Sequence, residues 1–258
     1  RGTEIKGKTI GIIGVGAIGS RVAKACSDLG MTVLGYDPYL PNHRKEELKQ
    51  FVTFVGDVKE LYAASDFVSV HIPLSAGNEG FVGADAIAAM KDGAYLINYA
   101  RGPVVDNDAV VDALDSGKLK GFATDFPTKR ELGRSDIVCT PHLGAGTPQA
   151  DENCAIMAAA QIKDYLENGD IKNSVNFPDV AFARAAGDRI TVFHTNRVGM
   201  LGQITDKVTA AGLNIENLVN KARNDVAYTI LDFNVEVPEA LLHQLEQIDG
   251  VIKVRLFK

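Results

Sequence analysis

Three glycines spaced as Gly14-x-Gly16-x-x-Gly19 follow the apolar residues Ile10, Ile12 and Ile13, and residues of these types in this order can hold a phosphate. Each glycine has its own task. Gly14 makes a tight turn, Gly16 lets the backbone approach a pyrophosphate, and Gly19 lets the next helix pack closely on the strand. That helix, with Ile18, Val22, Ala25 and Leu29 at helical spacing, turns its free N–H groups and positive dipole toward the phosphates, with Ala17 and Ile18 at its entrance. Alone the glycine pattern also occurs in turns that bind nothing. Its context strengthens it. A second strand, 32–36, ends at Asp37, 18 residues beyond Gly19, where a ribose-binding carboxylate belongs. An incidental Asp at a plain strand–helix turn is the competing reading. A carboxylate there repels an added 2′-phosphate and no Arg follows it directly, so the expected cofactor is NAD rather than NADP.

The elements that must position these residues alternate. Strands are expected at 67–71, 94–98, 121–124 and 137–139, with helices at 44–50, 57–63, 84–90 and 107–114 and a short strand at 51–55. This order implies an α/β fold with a doubly wound parallel sheet. Ligands sit at the carboxyl ends of such strands, which is where His71, Pro73, the run Tyr99-Ala100-Arg101-Gly102, Asp125, and Thr140-Pro141-His142-Leu143-Gly144-Ala145 fall. His71 either touches cofactor or is satisfied by backbone hydrogen bonds.

From Thr147 the pattern changes. Thr147 can cap a helix with Pro148 at its first position and Gly169 beyond its end, and Ala155, Ala159, Ile162 and Leu166 line one face. Residues 171–178 read as extended and 179–187 as a linker. Strand 189–194, a helix with Leu201, Ile204 and Val208 inward, strands 214–220 and 227–237 around a turn at 223–225, helix 238–248 and strand 251–257 then give β-α-β-β-α-β. That order is ferredoxin-like and implies no function by itself. The expected domains are 1–148, a crossover helix and linker at 149–187, and 188–258.

Composition sets limits. Apolar residues make up 46% and charged residues 23% of 258 residues, as in a globular protein. A net charge of −6 gives no basic patch for nucleic acid, and no apolar run has the length of a membrane span. Cys26, Cys139 and Cys154 are far apart without a metal-ligand pattern, so they read as reduced thiols of a cytoplasmic protein.

The stretches 11–19, Leu96-Ile97-Asn98-Tyr99-Ala100-Arg101-Gly102, Ala123-Thr124-Asp125-Phe126-Pro127 and 140–145, in this order, resemble the D-specific 2-hydroxyacid dehydrogenase family, in its phosphoglycerate-oxidising branch. Asn196-Arg197-Val198-Gly199-Met200-Leu201 resembles the start of an ACT regulatory domain. The resemblance implies NAD-dependent oxidation of 3-phospho-D-glycerate to 3-phosphohydroxypyruvate, the first step of L-serine synthesis. It implies that His142 is the acid/base, that Arg101 holds the substrate carboxylate and polarises the reacting oxygen, and that Asp125 faces the nicotinamide. Gly14, Gly16, Ala17, Ile18, Gly19, Asp37, Pro73, Tyr99, Ala100, Arg101, Asp125, His142, Gly144 and Ala145 would line the cofactor. L-serine would bind the ACT domain through His194, Asn196 and Asn214 as feedback inhibitor, and the chain would assemble as a homodimer or homotetramer.

Two departures stand out. The family's histidine pairs with a glutamate whose place here is Arg130, with Glu131 beside it; Glu131 swings in, another carboxylate substitutes, or the pairing is lost. Family members also begin with a substrate-binding lobe ahead of the first nucleotide-binding strand. The chain starting at Arg1 is therefore expected to bind NAD with little or no turnover. A non-catalytic amino-acid sensor that keeps a nucleotide-binding body is the alternative.

Overall fold

The computed structural model describes residues 2–258, and Arg1 lies outside the described residues. The chain divides into two compact units, residues 1–144 and 145–258. In the first, strands β1 (Thr9–Ile13), β2 (Thr32–Tyr36), β3 (Thr53–Phe54), β4 (Phe67–Val70), β5 (Ala94–Asn98), β6 (Leu119–Thr124) and β7 (Ile137–Cys139) alternate with helices α1 (Gly19–Asp28), α2 (Asn42–Leu48), α3 (Val58–Ala64), α4 (Ala84–Ala89) and α5 (Asn107–Asp115). All strand pairs are parallel in the order β3-β2-β1-β4-β5-β6-β7. The chain therefore winds outward from β1 to β3 and then crosses back to β4. The reversal between β1 and β4 opens a crevice at their carboxyl ends.

The middle strand reads as apolar throughout because it is covered on both faces. Ile10 and Ile12 pack with Ala23 of α1 and with Leu48 and Val52, while Ile13 packs with Leu61 and Tyr62 of α3 and with residues of α4 and α5. The α1 helix forms as expected but buries a different face. Ile18 and Leu29 are exposed, and Gly19 and Ala23 are the buried residues. The close approach at Gly19 decides this: whatever lies one turn beyond the glycine is what faces the sheet. Asp57, expected inside α3, is its cap and accepts from the Lys59 N–H. The α2 helix starts two residues before the expected 44, directly after Pro41.

In the second unit, α6 (Pro148–Asn168) has the ends read from sequence. The Thr147 hydroxyl accepts from the Ala150 N–H, Pro148 opens the helix, and Gly169 closes it in the left-handed conformation. Strands β8 (Arg189–Thr195), β9 (Asn217–Arg223), β10 (Val226–Asp232) and β11 (Val251–Phe257) form an antiparallel sheet ordered β11-β8-β10-β9, with α7 (Met200–Ala210) and α8 (Glu239–Glu246) packed on one face. This is the ferredoxin-like order. The β9–β10 hairpin turns at Asn224, but its strands pair three residues later than expected on the first side and stop at Asp232 rather than 237. Phe233 leaves the ladder to donate to the Asp188 carbonyl, which ends the strand. The opposite face of the sheet is covered by Tyr165, Ile171, Phe177, Val180 and Phe182 of the preceding segment. Among the described residues no helix is long and apolar enough to cross a membrane.

Candidate active site

The glycine loop is shaped as a cradle. Gly14 has φ +86°, donates its N–H to the Tyr36 carbonyl at 2.9 Å, and leaves no room for a Cβ beside Ile72 and the His71 carbonyl. A Cβ on Gly19 would collide with the Gly14 carbonyl oxygen, whereas one on Gly16 would meet nothing within 4 Å. Gly14 and Gly19 are thus required by the protein's own packing, and the backbone at Gly16 is left bare. No side chain caps the start of α1 and no acidic residue lies in its first turn. The Ser20 and Arg21 N–H groups close onto the Gly16 and Ile18 carbonyls, both at 3.0 Å, so what the helix start offers beside Ala17 and Ile18 is the positive end of its dipole. Asp37 is fixed by two backbone donors, Val15 N–H to Oδ2 and Tyr39 N–H to Oδ1, both at 3.0 Å. A cleft of about 320 Å³ runs from Gly14 past Asp37 and Tyr39 to Ile72, Pro73 and Asn78. A bare glycine, an uncapped helix start and an anchored carboxylate suit a dinucleotide's phosphates and ribose hydroxyls.

Arg101, Asp125 and His142 follow β5, β6 and β7, three neighbouring strands, so their loops rise side by side. His142 Nδ1 lies 2.7 Å from Asp125 Oδ2. The Asp125 side chain is buried and the imidazole half-exposed. The ring also lies against Phe126, with centroids 4.4 Å apart. Gly102 brings the arginine's loop against Phe126, since a Cβ there would stand 3.2 Å from the Phe126 Cβ. The Arg101 guanidinium is exposed and donates to the Ala100 carbonyl at 2.7 Å; Tyr99 and Gly144 are also exposed, and Ala145 opens the second unit. A carboxylate on Nδ1 holds the ring in the tautomer that leaves Nε2 able to accept a proton. A neighbouring guanidinium can fork onto a carboxylate. Such a set can take a proton from a hydroxyl whose carbon loses hydride.

Arg130 does not take the place of a histidine partner. It turns outward to α5 and donates to Asp108 at 2.6 Å and Asp112 at 3.0 Å. Glu131 points inward and is fully buried; its Oε2 accepts from the Thr128 N–H at 2.5 Å. Burial, and secondly the Glu131 charge, push the Cys139 thiol upward. Glu131 is thus engaged with Thr128, and the carboxylate within hydrogen-bond distance of His142 is another one, Asp125. His71 does not rely on backbone acceptors; its Nε2 lies 2.9 Å from the Ser69 hydroxyl. Sequence reasoning also missed Asn98 and Thr124, which are 1% exposed at the ends of β5 and β6. A polar residue closing an apolar strand directly before a site loop was the available signal.

In the second unit His194 is buried, with Nδ1 on the Thr195 carbonyl at 2.9 Å and Nε2 on the Thr229 hydroxyl at 2.8 Å. Asn196 donates to the Asn224 carbonyl at 3.0 Å, and Asn214 to Glu216 at 3.3 Å. The register separates them. His194 lies opposite Ala227 at one end of the sheet, and Asn214 precedes β9, whose Asn217 pairs with Asp232 at the other end.

The sequence profile of the D-isomer specific 2-hydroxyacid dehydrogenase NAD binding domain matches residues 1–144. The chain belongs to that family. Its first unit is the family's NAD-binding domain. The D-3-phosphoglycerate dehydrogenase of Haemophilus influenzae is 35% identical over 98% of this chain and 63% of its own length. That of Escherichia coli K12 is 34% identical over 98% of this chain and 64% of its own length. The chain thus spans just under two thirds of these relatives. Among solved structures, the NAD complex of a D-isomer specific 2-hydroxyacid dehydrogenase from Lactobacillus delbrueckii ssp. bulgaricus aligns with a TM-score of 0.61 at 30% identity, over 67% of this chain and 58% of that one.

Proposed function

We propose that the protein oxidises 3-phospho-D-glycerate to 3-phosphohydroxypyruvate with NAD, and that L-serine regulates it through the ferredoxin-like domain. The observation that carries the enzymatic part is the His142–Asp125 pair, placed beside the Arg101 loop and on the same sheet edge as the glycine cradle. Asp125 keeps the imidazole oriented, Nε2 takes the hydroxyl proton, and Arg101 opens from the Ala100 carbonyl to hold the substrate's carboxylate. Gly14–Gly19 and Asp37 would hold NAD, whose chemistry would be to take up the hydride.

The effector part rests on His194, Asn196 and Asn214, whose side chains suit an amino acid's charged groups and hydroxyl. Within one chain they lie at opposite ends of the sheet. We therefore infer that the serine site is shared, with His194 and Asn196 from one copy and Asn214 from another, in a symmetric pair. Calorimetric titration of the chain with NADH and, separately, with L-serine tests both parts. NADH should bind in the micromolar range and serine with half a site or one site per chain in a dimer. Failure to bind NADH overturns the dehydrogenase reading; serine-free behaviour reduces the second domain to an assembly element.

A further inference from the structure

Asn98 and Thr124 are direct register partners on β5 and β6, at the last paired position before both strands open into the site. Both are 1% exposed, in a sheet whose buried side chains are mostly apolar. A buried polar side chain is retained at a cost unless it is hydrogen-bonded, so their bonding partners are informative. The Asn98 Oδ1 accepts from the Ala100 N–H at 3.1 Å and its Nδ2 donates to the Arg101 carbonyl at 3.0 Å. The amide thus closes the turn on both sides of Arg101's own peptide. The Thr124 Oγ1 accepts from the Phe126 N–H at 3.1 Å, fixing the bend that presents Asp125 and Phe126. The Thr124 carbonyl accepts from the Thr140 N–H at 3.0 Å and so ties in the loop that carries His142.

We infer that Asn98 and Thr124 are positioning residues, a single polar crosspiece that sets Arg101, Asp125 and His142 in their relative places. The inference rests on the reading of Arg101 and His142 given above. Asn is suited to the first place because a short amide offers an acceptor oxygen and a donor nitrogen on separate atoms, one for each side of the turn. Aspartate keeps the acceptor for Ala100 and loses the donor to Arg101. Thr124 is needed for its hydroxyl, and valine would fill the same volume.

The test compares the chain with Asn98→Ala, Asn98→Asp and Thr124→Val. Hydrogen exchange of the ligand-free protein is read at Ala100 and Phe126, and binding of oxalate, a small dicarboxylate, is read on the NADH-loaded protein. Asn98→Ala should speed exchange at Ala100 about tenfold and weaken oxalate about tenfold, the scale of one or two lost hydrogen bonds. Asn98→Asp should keep Ala100 slow, and Thr124→Val should release Phe126 alone. NADH affinity and exchange in the middle of β4 should stay within about twofold in all three. Unchanged exchange at Ala100 in folded Asn98→Ala overturns the inference. So does a uniform rise in exchange across the first unit with NADH and oxalate lost together, the mark of a merely structural role. If the unaltered chain binds NADH but not oxalate while the exchange pattern holds, the reading of Arg101 fails and the positioning role stands.

Discussion

His71 is folded with its imidazole uncharged. Burial pushes its pKa down to about 4, and its Nε2 rests against the Ser69 hydroxyl. The unfolded chain holds a proton on this ring below about pH 6.5, so between the two values it binds more protons than the native state. Stability from this group is fully present above about pH 6.5 and is lost as the pH falls toward 4. A depression of this size corresponds to about 3 kcal/mol. Carboxylates titrate in the same range, so the prediction is a difference: His71→Asn should unfold with a shallower dependence on pH between 7 and 4.5 than the parent, in urea titrations monitored by circular dichroism. Parallel curves would place the ring in water. The residue's place explains the demand for neutrality, since its own carbonyl backs the Gly14 turn.

The glycine cradle makes two kinds of demand on the element that follows, and two single methyl groups separate them. Gly19→Ala drives a Cβ into the Gly14 carbonyl and must lift α1 off the sheet. It should cost about 2 kcal/mol or more, as overpacking does, and weaken NADH together with stability. Gly16→Ala meets only open space. It should melt within a degree or two of the parent and still lose NADH about tenfold, on the scale of one or two backbone hydrogen bonds, as read by calorimetry and differential scanning. Equal effects from the two would refute this division. The same elements show what the sequence carried and what it did not. The Thr147–Pro148 start of α6 and its Gly169 end were legible because each is decided within a few residues of itself, and the cradle and Asp37 because residue type and spacing alone mark a strand–turn–helix with a carboxylate after the next strand. The buried face of α1 was not, because it depends on how closely Gly19 approaches Gly14. Nor was the fate of Arg130 and Glu131, because it depends on Asp108 and Asp112 of α5, some twenty residues away in the chain. The end of β10 was hidden for the same reason, being set by the Asp188 carbonyl.

At the scale of the whole molecule, the second unit holds α6 by its last turn. Among the described residues none of α6 is buried, so the helix has little apolar packing of its own. Its terminal carbonyls are captured instead. Arg255 donates to Tyr165 and Leu166, Arg189 to Asn168, and the Tyr228 hydroxyl to Gly169 at 2.7 Å. Cations at a helix carboxyl end also complement its dipole. Arg189 is the hub: fully buried, it forks onto Asp232 at 2.6 and 3.0 Å, reaches Asp170 at 3.1 Å and lies over the Phe182 ring. Removing it leaves Asp232 buried without its partner, which typically costs about 3–5 kcal/mol. Arg189→Met should therefore move the unfolding of residues 145–258 to lower denaturant while residues 1–144 unfold as before and keep their NADH affinity. Adding Asp232→Leu should recover much of the loss, because the pair's desolvation is then no longer required. Two transitions followed separately, by NADH fluorescence for the first unit and by exchange at β8 for the second, read the outcome. If both transitions move together, the two units share their stability and the division at Gly144 is not an energetic one.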